Sequence, residues 1–264
     1  MSRVLLAATR RDAAGAARRG TWTPTSARID GRPCPASPIP ANPPSQPYHN
    51  VLLTHSSIPP TASPTPSAFL LPSFTYLPTL PADPATLESL LRAFVLPTHP
   101  DSRHPPTQHA LLRRQSHLQP RFPAARPAHD CLILICGHAA RDSRCGALGP
   151  LLQHEFELAL HRQNIPLSRD APAPEPCTDG PGDDVPAARV AQISHIGGHQ
   201  WAGNVIVYLP PSWTGHLLRG MGIWYGRVGP EQVEGIVRET VRGGRVIREI
   251  FRGGIEGGRG MVRL

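Results

Sequence analysis

The amino-acid sequence predicts an α/β fold concentrated in the C-terminal half of the chain, and three observations carry that prediction. Residues 131–136 (CLILIC) are a continuous apolar run, the pattern of a strand buried on both faces. Further runs at Val190–His195, Asn204–Leu209 and Gly222–Val228 repeat the strand signal, and two stretches among them carry apolar residues at helical spacing. Prolines are unevenly spread, with 23 of the 33 before residue 130. Each removes a backbone donor and fixes φ, which excludes long helices and central strands from much of the N-terminal half.

Taken in order, residues 1–22 carry Arg3, Arg10, Arg11, Arg18 and Arg19 against one acid, Asp12. Arginine-rich and acid-poor, with Leu5 and Leu6 as an apolar face, this is the pattern of a mitochondrial presequence. Residues 23–47 read as a linker by their Pro, Ser and Ala content. Residues 48–128 read as a small α/β segment with Pro-rich loops. In it Val51, Leu52 and Leu53 predict a short strand, and Ala68–Leu77 predicts a second one bent at Pro72. Asp83-Pro84 opens a helix over residues 83–96: Asp83 caps it, Pro84 suits its first position, and Leu87, Leu90, Leu91 and Phe94 share a face. Residues 97–128, rich in Pro, His and Arg, read as a second linker or an irregular crossing.

From residue 129 to 264 the pattern is that of one domain. After the strand at 131–136 comes a polar turn, and Gly149-Pro150 is expected to start a helix with Leu151, Leu152, Phe156, Ala159 and Leu160 as its apolar stripe. Residues 165–187 form a Pro/Gly/Asp loop. Strands at 190–195 and 204–209 follow, joined by a glycine-rich turn, then one at 222–228. Pro230 opens a last helix with Val233, Ile236, Val237, Thr240 and Val241 on one face. Strand, helix, strand, strand, helix is the order of a small thioredoxin-like domain.

Composition narrows the function classes. The net charge of +8 permits nucleic-acid or acidic-surface binding, but basic targeting residues and solvated arginines raise the total equally well. Arg242-Gly-Gly and Arg252-Gly-Gly invite a nucleic-acid-binding reading; the interleaved Val246, Ile247, Ile250 and Phe251 point instead to a folded element. No apolar run of about 18 residues exists, so no membrane-spanning helix is expected. Five cysteines argue against a disulfide framework and leave metal or redox chemistry open.

Two segments stand apart: Cys136-Gly-His-Ala-Ala-Arg-Asp-Ser-Arg-Cys145 and His195-Ile-Gly-Gly-His199. The first sets two thiols across a polar loop at the end of a buried strand. The second sets two imidazoles four apart, with Gly197 and Gly198 arguing for a tight loop that lets backbone approach an inorganic centre. Two thiols and two imidazoles make a four-ligand set. Zinc takes Cys₂His₂, although with cysteines usually two to four residues apart. A [2Fe–2S] core is larger and accepts Cys₂ on one iron and His₂ on the other. Both metals, and no metal at all, stay open on the residues alone. A third alternative is a thioredoxin-like thiol oxidoreductase using Cys136 with Cys145, against which stands the absence of C-x-x-C spacing.

Around these segments, Arg141 and Arg144 either offset cluster charge or clamp the loop through Asp142. His138 competes as a ligand, with awkward geometry one residue from Cys136. Cys131 reads as a buried structural thiol and Cys177 as a bystander, while Cys34 stands alone. Trp201 and Asn204 are placed to shield or hydrogen-bond the site.

The strings CGHAARDSRCG, HIGGHQWAGNVIVYLP and GIWYGRVGPEQV together resemble the sucrase/ferredoxin-like family, and its mitochondrial branch most. The resemblance covers roughly residues 129–252 and is weak before them. It implies a thioredoxin-like [2Fe–2S] ferredoxin domain whose cluster ligands are Cys136, Cys145, His195 and His199. It further implies a mitochondrial electron-transfer or redox-sensing role with a protein donor or acceptor that the sequence does not name. Sucrase activity is not implied, because no paired catalytic carboxylates stand out.

Overall fold

The computed structural model describes residues 4–10, 28–29, 32–33, 50–61, 65–100, 104–172, 187–256 and 260–262. Cys34 and Cys177 therefore lie outside the described residues, as do most of the expected linker 23–47 and the second half of the expected presequence.

Arg28–Ile29 pairs with Arg32–Pro33 in a separate two-stranded sheet, and an eleven-stranded sheet organises most of the described residues. Its strands are β1 (Val4–Arg10), β2 (Asn50–Ser56), β3 (Ser67–Leu71), β4 (Thr75–Leu77), β5 (Arg126–Pro127), β6 (Cys131–Cys136), β7 (Ala188–Ile193), β8 (Val205–Tyr208), β9 (Met221–Tyr225), β10 (Phe251–Glu256) and β11 (Gly260–Val262). In space they run β11-β10-β9-β8-β6-β7-β2-β1-β3-β4-β5. β6 and β7 are parallel, whereas β8 is antiparallel to both β6 and β9. With α3 (Ser143–Arg162) crossing between β6 and β7, the order β9-β8-β6-β7 is the thioredoxin-like arrangement that the element order predicts.

β6 is buried on both faces, and its period-two alternation sorts the core. Cys131, Ile133 and Ile135 pack with Leu152, Phe156, Ala159 and Leu160 of α3. The same cluster holds Val233, Ile236, Val237 and Val241 from α4 (Pro230–Gly235) and its π-helical continuation Ile236–Arg242. Leu132, Leu134 and Cys136 face the other way, towards Phe69, Phe74, Tyr76, Ile206 and Tyr208. Cys131 is thus directed away from Cys136, as a structural thiol, and burial pushes its pKa far up.

Helix α3 begins earlier than the Gly149-Pro150 start expected from sequence. It starts at Ser143 with Asp142 as its cap, the carboxylate accepting from the Arg144 N–H at 3.0 Å. Pro150 sits inside the helix. A proline there gives up the N–H bond to the fourth carbonyl back and crowds that carbonyl; the added clash with the Cβ of the preceding residue is absent, because that residue is Gly149. The expected stripe also shifts: Leu151 is 45% exposed, while Leu152, Phe156, Ala159 and Leu160 are buried.

In the N-terminal half, Asp83 caps α1 (Pro84–Leu90) as expected, its carboxylate accepting from the Thr86 N–H at 2.8 Å. The expected face is redistributed. The helix widens into a π-helical turn at Leu91–Val95, which rotates later residues relative to earlier ones. Leu90, Ala93 and Val95 are buried, and Leu87 and Leu91 are left exposed. Ala68–Leu77 divides into β3 and β4 around a turn containing Pro72 and Phe74, which has φ +52°. Residues 104–128 pack as an irregular crossing: after α2 (Pro106–Leu112), a 3₁₀ turn at Ser116–Arg121 lies against α1 and its π-helical continuation, with Phe122 against Phe94 and the Arg114 Nε–H donating to Leu96 O at 2.8 Å.

β1 occupies the slot between β2 and β3, so Val4–Arg10 has a place in the sheet as well as an address-like composition. The two halves meet where Ser56 pairs with Ile193. There the Ser57 N–H donates to Gln192 O and the Ser194 N–H to His55 O, each at 2.9 Å. Val246, Ile247, Ile250 and Phe251 pack on the main core, so Arg252-Gly253-Gly254 is strand rather than tail. No helix among the described residues is long and apolar enough to cross a membrane.

The double-sided burial of β6 gives a contrast that equilibrium urea unfolding checks. Ile133→Ala is expected to destabilise by about 3 kcal/mol, the loss of a fully buried aliphatic chain plus its cavity. Leu151→Ala, on the same core's helix but exposed, is expected to stay within about 0.5 kcal/mol.

Candidate functional site

Cys136 ends β6 and is 1% exposed, its N–H donating to Asn204 O at 3.0 Å. The chain turns away at Gly137, whose N–H donates to Ile193 O at 3.1 Å. A Cβ at Gly137 would stand 2.3 Å from Gln192 Oε1, and one at Gly149 would stand 2.8 Å from Gly137 Cα. Those two absent side chains let the first turns of α3 press onto the strand end.

Cys145 therefore lies in the first turns of a helix, not in a loop, and is also 1% exposed. The loop between the cysteines folds back on the helix. The Arg141 and Asp142 N–H groups donate to His138 O at 3.1 and 3.2 Å, and a Cβ at Gly146 would meet that of Ala139 at 2.4 Å. Arg144 holds Asp142 through two contacts, 3.0 Å from Nε and 2.8 Å from Nη2, and so clamps the loop. Arg141 is exposed.

The two thiols meet. Burial, the charge of Cys136 and a hydrogen bond with Cys136 push the Cys145 thiol up from an ordinary 9.0 to about 11, while the Gly203 N–H donating to its sulfur pulls the other way. Cys136 and Cys145 share one apolar cluster with Ile193, Ile196 and Ile206. A Cys145 thiol so placed holds its proton unless a cation takes its place. This donor set fits a thiophilic centre.

The second segment reaches the same place. β7 runs parallel to β6 with Ile193 opposite Cys136, and the chain continues into His195, whose N–H donates to His138 Nδ1 at 3.4 Å. His138, weighed from sequence as a competing ligand, thus supports the second loop from the first. Gly197 takes φ +74°, and a Cβ there would lie 2.6 Å from Asn204 Oδ1 and 2.7 Å from Arg252 Nη1. His199 begins a one-turn 3₁₀ helix, His199–Trp201, and its side chain is not among those described. Among the described residues no group of three or more His, Cys, Asp or Glu gathers around a single ion position.

Sequence reading placed Asn204 and Trp201 beside the site but missed the Gly203 amide and the two arginines, Arg227 and Arg252, that gather there. The Gly203 N–H reaches the Cys145 sulfur through a backbone at φ +85°. Asn204, 1% exposed, supplies Oδ1 to the Trp224 indole at 3.3 Å and to Arg252 Nη1 at 2.6 Å. Trp201 carries the guanidinium carbons of Arg227 and Arg252, each 4.5 Å from its ring centroid. A backbone amide gives no sequence signal; Arg227 lies within the GIWYGRV string but looks there like any exposed arginine.

Comparison with known proteins agrees with the motif strings. A protein named Altered inheritance of mitochondria protein 32 from Clavispora lusitaniae is 42% identical over 130 residues, covering 48% of this chain and 36% of that protein. Its namesake from Meyerozyma guilliermondii is 41% identical over 128 residues, with the same coverage. The match thus spans about a third of the length of these curated relatives. A crystal structure of a thioredoxin-like [2Fe-2S] ferredoxin from Aquifex aeolicus shares 18% identity at a TM-score of 0.28, covering 47% of this chain and 97% of the other, too low a likeness to bear on fold or site. Residues 16–253, most of both halves, match the family described as Sucrase/ferredoxin-like, and the chain belongs to that family.

Proposed function

We propose that the chain holds a [2Fe–2S] cluster on Cys136, Cys145, His195 and His199 and serves in mitochondria as an electron carrier or redox sensor. The observation that carries the reading is the meeting of two buried thiols at the very strand end to which the His195-containing loop is hydrogen-bonded. The pairing of like ligands in separate segments suits a two-iron core, with thiolates on one side and imidazoles on the other. When bound, such a core stores and releases single electrons.

The chain's own residues then have definite tasks. Cys136 and Cys145 are set by strand end and helix start, and Asp142 fixes that start by capping it. The Gly203 N–H donates to the Cys145 sulfur, a contact that raises the potential of a sulfur-ligated centre by stabilising added negative charge. The apolar wall of Ile193, Ile196 and Ile206 limits water on the thiol side. The alternative of a dithiol oxidoreductase fares worse, since a reactive thiol needs a lowered pKa and that of Cys145 is raised. The mitochondrial assignment is supported by the relatives' names and by the five arginines of residues 1–22.

Purified protein is expected to be red-brown and to carry about two irons and two sulfides per chain. Cys136→Ser or Cys145→Ser should lose them, and His195→Cys should keep them at a potential lower by on the order of 100 mV. Colourless protein with one zinc would replace the cluster by a structural site. In metal-free protein, the raised thiol favours the neutral form of the folded chain. That contribution to stability is complete below about pH 9 and is lost as pH rises through about 11. Alkylation of Cys145, followed by mass spectrometry, should accordingly reach half its maximal rate near pH 11; a midpoint near pH 8 would remove the buried-pair account. Residues 1–22 fused to a fluorescent reporter are expected to carry it into mitochondria, and a reporter left in the cytosol would confine that segment to its role in the sheet.

A further inference from the structure

We propose that Arg227, stacked with Arg252 on Trp201, is the docking point for an acidic protein surface that exchanges electrons at this site, an inference that rests on the cluster reading above. Both cations lie against the loop that carries the two histidines. Arg252 Nη1 stands 2.6 Å from Asn204 Oδ1, at the spot a Gly197 side chain would fill. The Arg227 Nε–H donates to Gln200 O at 3.3 Å, just past His199. Gly197, Gly198 and Gln200 are exposed, so this loop brings the site to the protein surface.

The backbone of Arg227 adds an independent sign. It takes φ +59°, a left-handed conformation that costs an L side chain and that glycine adopts freely. The neighbouring Gly226 shows what the local packing requires: a Cβ there would strike Arg252 Cδ at 2.4 Å. The Arg227 side chain is exposed, rests on Trp201 and donates to Gln200 O, and among the described residues makes no ion pair. A strained position occupied by an exposed cation is explained by what the cation does for a partner.

Charge selects the kind of partner. Asp142, an acid of the cysteine loop, is engaged by Arg144, and the chain carries +8 overall. A basic rim beside a redox centre attracts an acidic surface from a distance and orients it, and arginine and tryptophan are among the residue types enriched where binding energy concentrates. Single-stranded nucleic acid fits less well, because it needs an aromatic ring on which to stack and Trp201 is already engaged by two guanidinia.

The test labels the full chain with 5-fluorotryptophan, assigns the Trp201 signal by Trp201→Phe, and titrates with hexaglutamate at low salt. The Trp201 signal is expected to shift with the acidic peptide, and neither hexalysine nor oligothymidylate should match it. Arg227→Gly, which the left-handed backbone accommodates, should fold and unfold as the parent does yet bind hexaglutamate at least about five-fold more weakly, and Arg227→Lys should recover part of the loss. An unchanged Trp201 response in Arg227→Gly, or a stronger one to oligothymidylate, overturns the proposal. In iron-loaded protein, one electron passes from the reduced site to ferricyanide, giving ferrocyanide; Arg227→Gly should slow this but not slow oxidation by a cationic cobalt(III) complex, whose approach the lost charge opposed. Equal slowing with both oxidants also overturns it. Protein without iron would end the cluster reading, while the peptide titration would still decide whether the surface binds acids.

Discussion

The approach of the first turns of α3 to the end of β6 is the contact from which the rest of the site follows. It is close because Gly137 and Gly149 both lack a Cβ: a side chain at Gly149 would lie 2.8 Å from the Gly137 backbone. That proximity brings Cys145 beside Cys136, although eight residues separate them in sequence. Gly149 also eases a proline inside the helix, since it has no Cβ for the Pro150 ring to meet. The same glycine thus serves the backbone and the site.

Apolar burial and chemical need pull against one another at these thiols. Cys136 and Cys145 are as enclosed as the leucines beside them, and the Cys145 thiol is held in its protonated form up to about pH 11. An enclosed thiol makes a poor nucleophile and a good ligand, because a metal replaces its proton without admitting water. Around this apolar wall the polar contacts come from the backbone and from Asn204, which joins Cys136, Trp224 and Arg252 through its own main chain and side chain.

The N-terminal half has a structural part in this arrangement. β2 meets the sheet through Ser56 and Ile193, and hydrogen bonds at Ser57, Ser194 and Thr54 hold the segment entering His195. Phe69, Phe74 and Tyr76 cover the face of β6 that ends in Cys136. Without that cover the strand would be buried on one side only, and the CLILIC run would have no reason to be apolar throughout.

Period-two and helical spacing were enough to read β6, β8, α4 and the strand, helix, strand, strand, helix order, because those elements bury whole faces and composition records burial. The C-x₈-C and H-x₃-H pairs were legible as donors for the same reason that any thiol or imidazole is: their chemistry belongs to the residue type. The start of α3 was misread because a cap and a Gly-Pro pair give competing signals, and only packing against Gly137 decides between them. The exposed Leu87, Leu91 and Leu151 were misplaced because a π turn or a one-residue offset rotates a helix without altering its pattern. The sequence by itself determined which groups are available and which strands are buried. Tertiary structure alone decided that the two thiols lie side by side, that a backbone amide from Gly203 acts on one of them, and that two arginines distant in sequence share one indole, since each depends on distances in space that sequence separation does not encode.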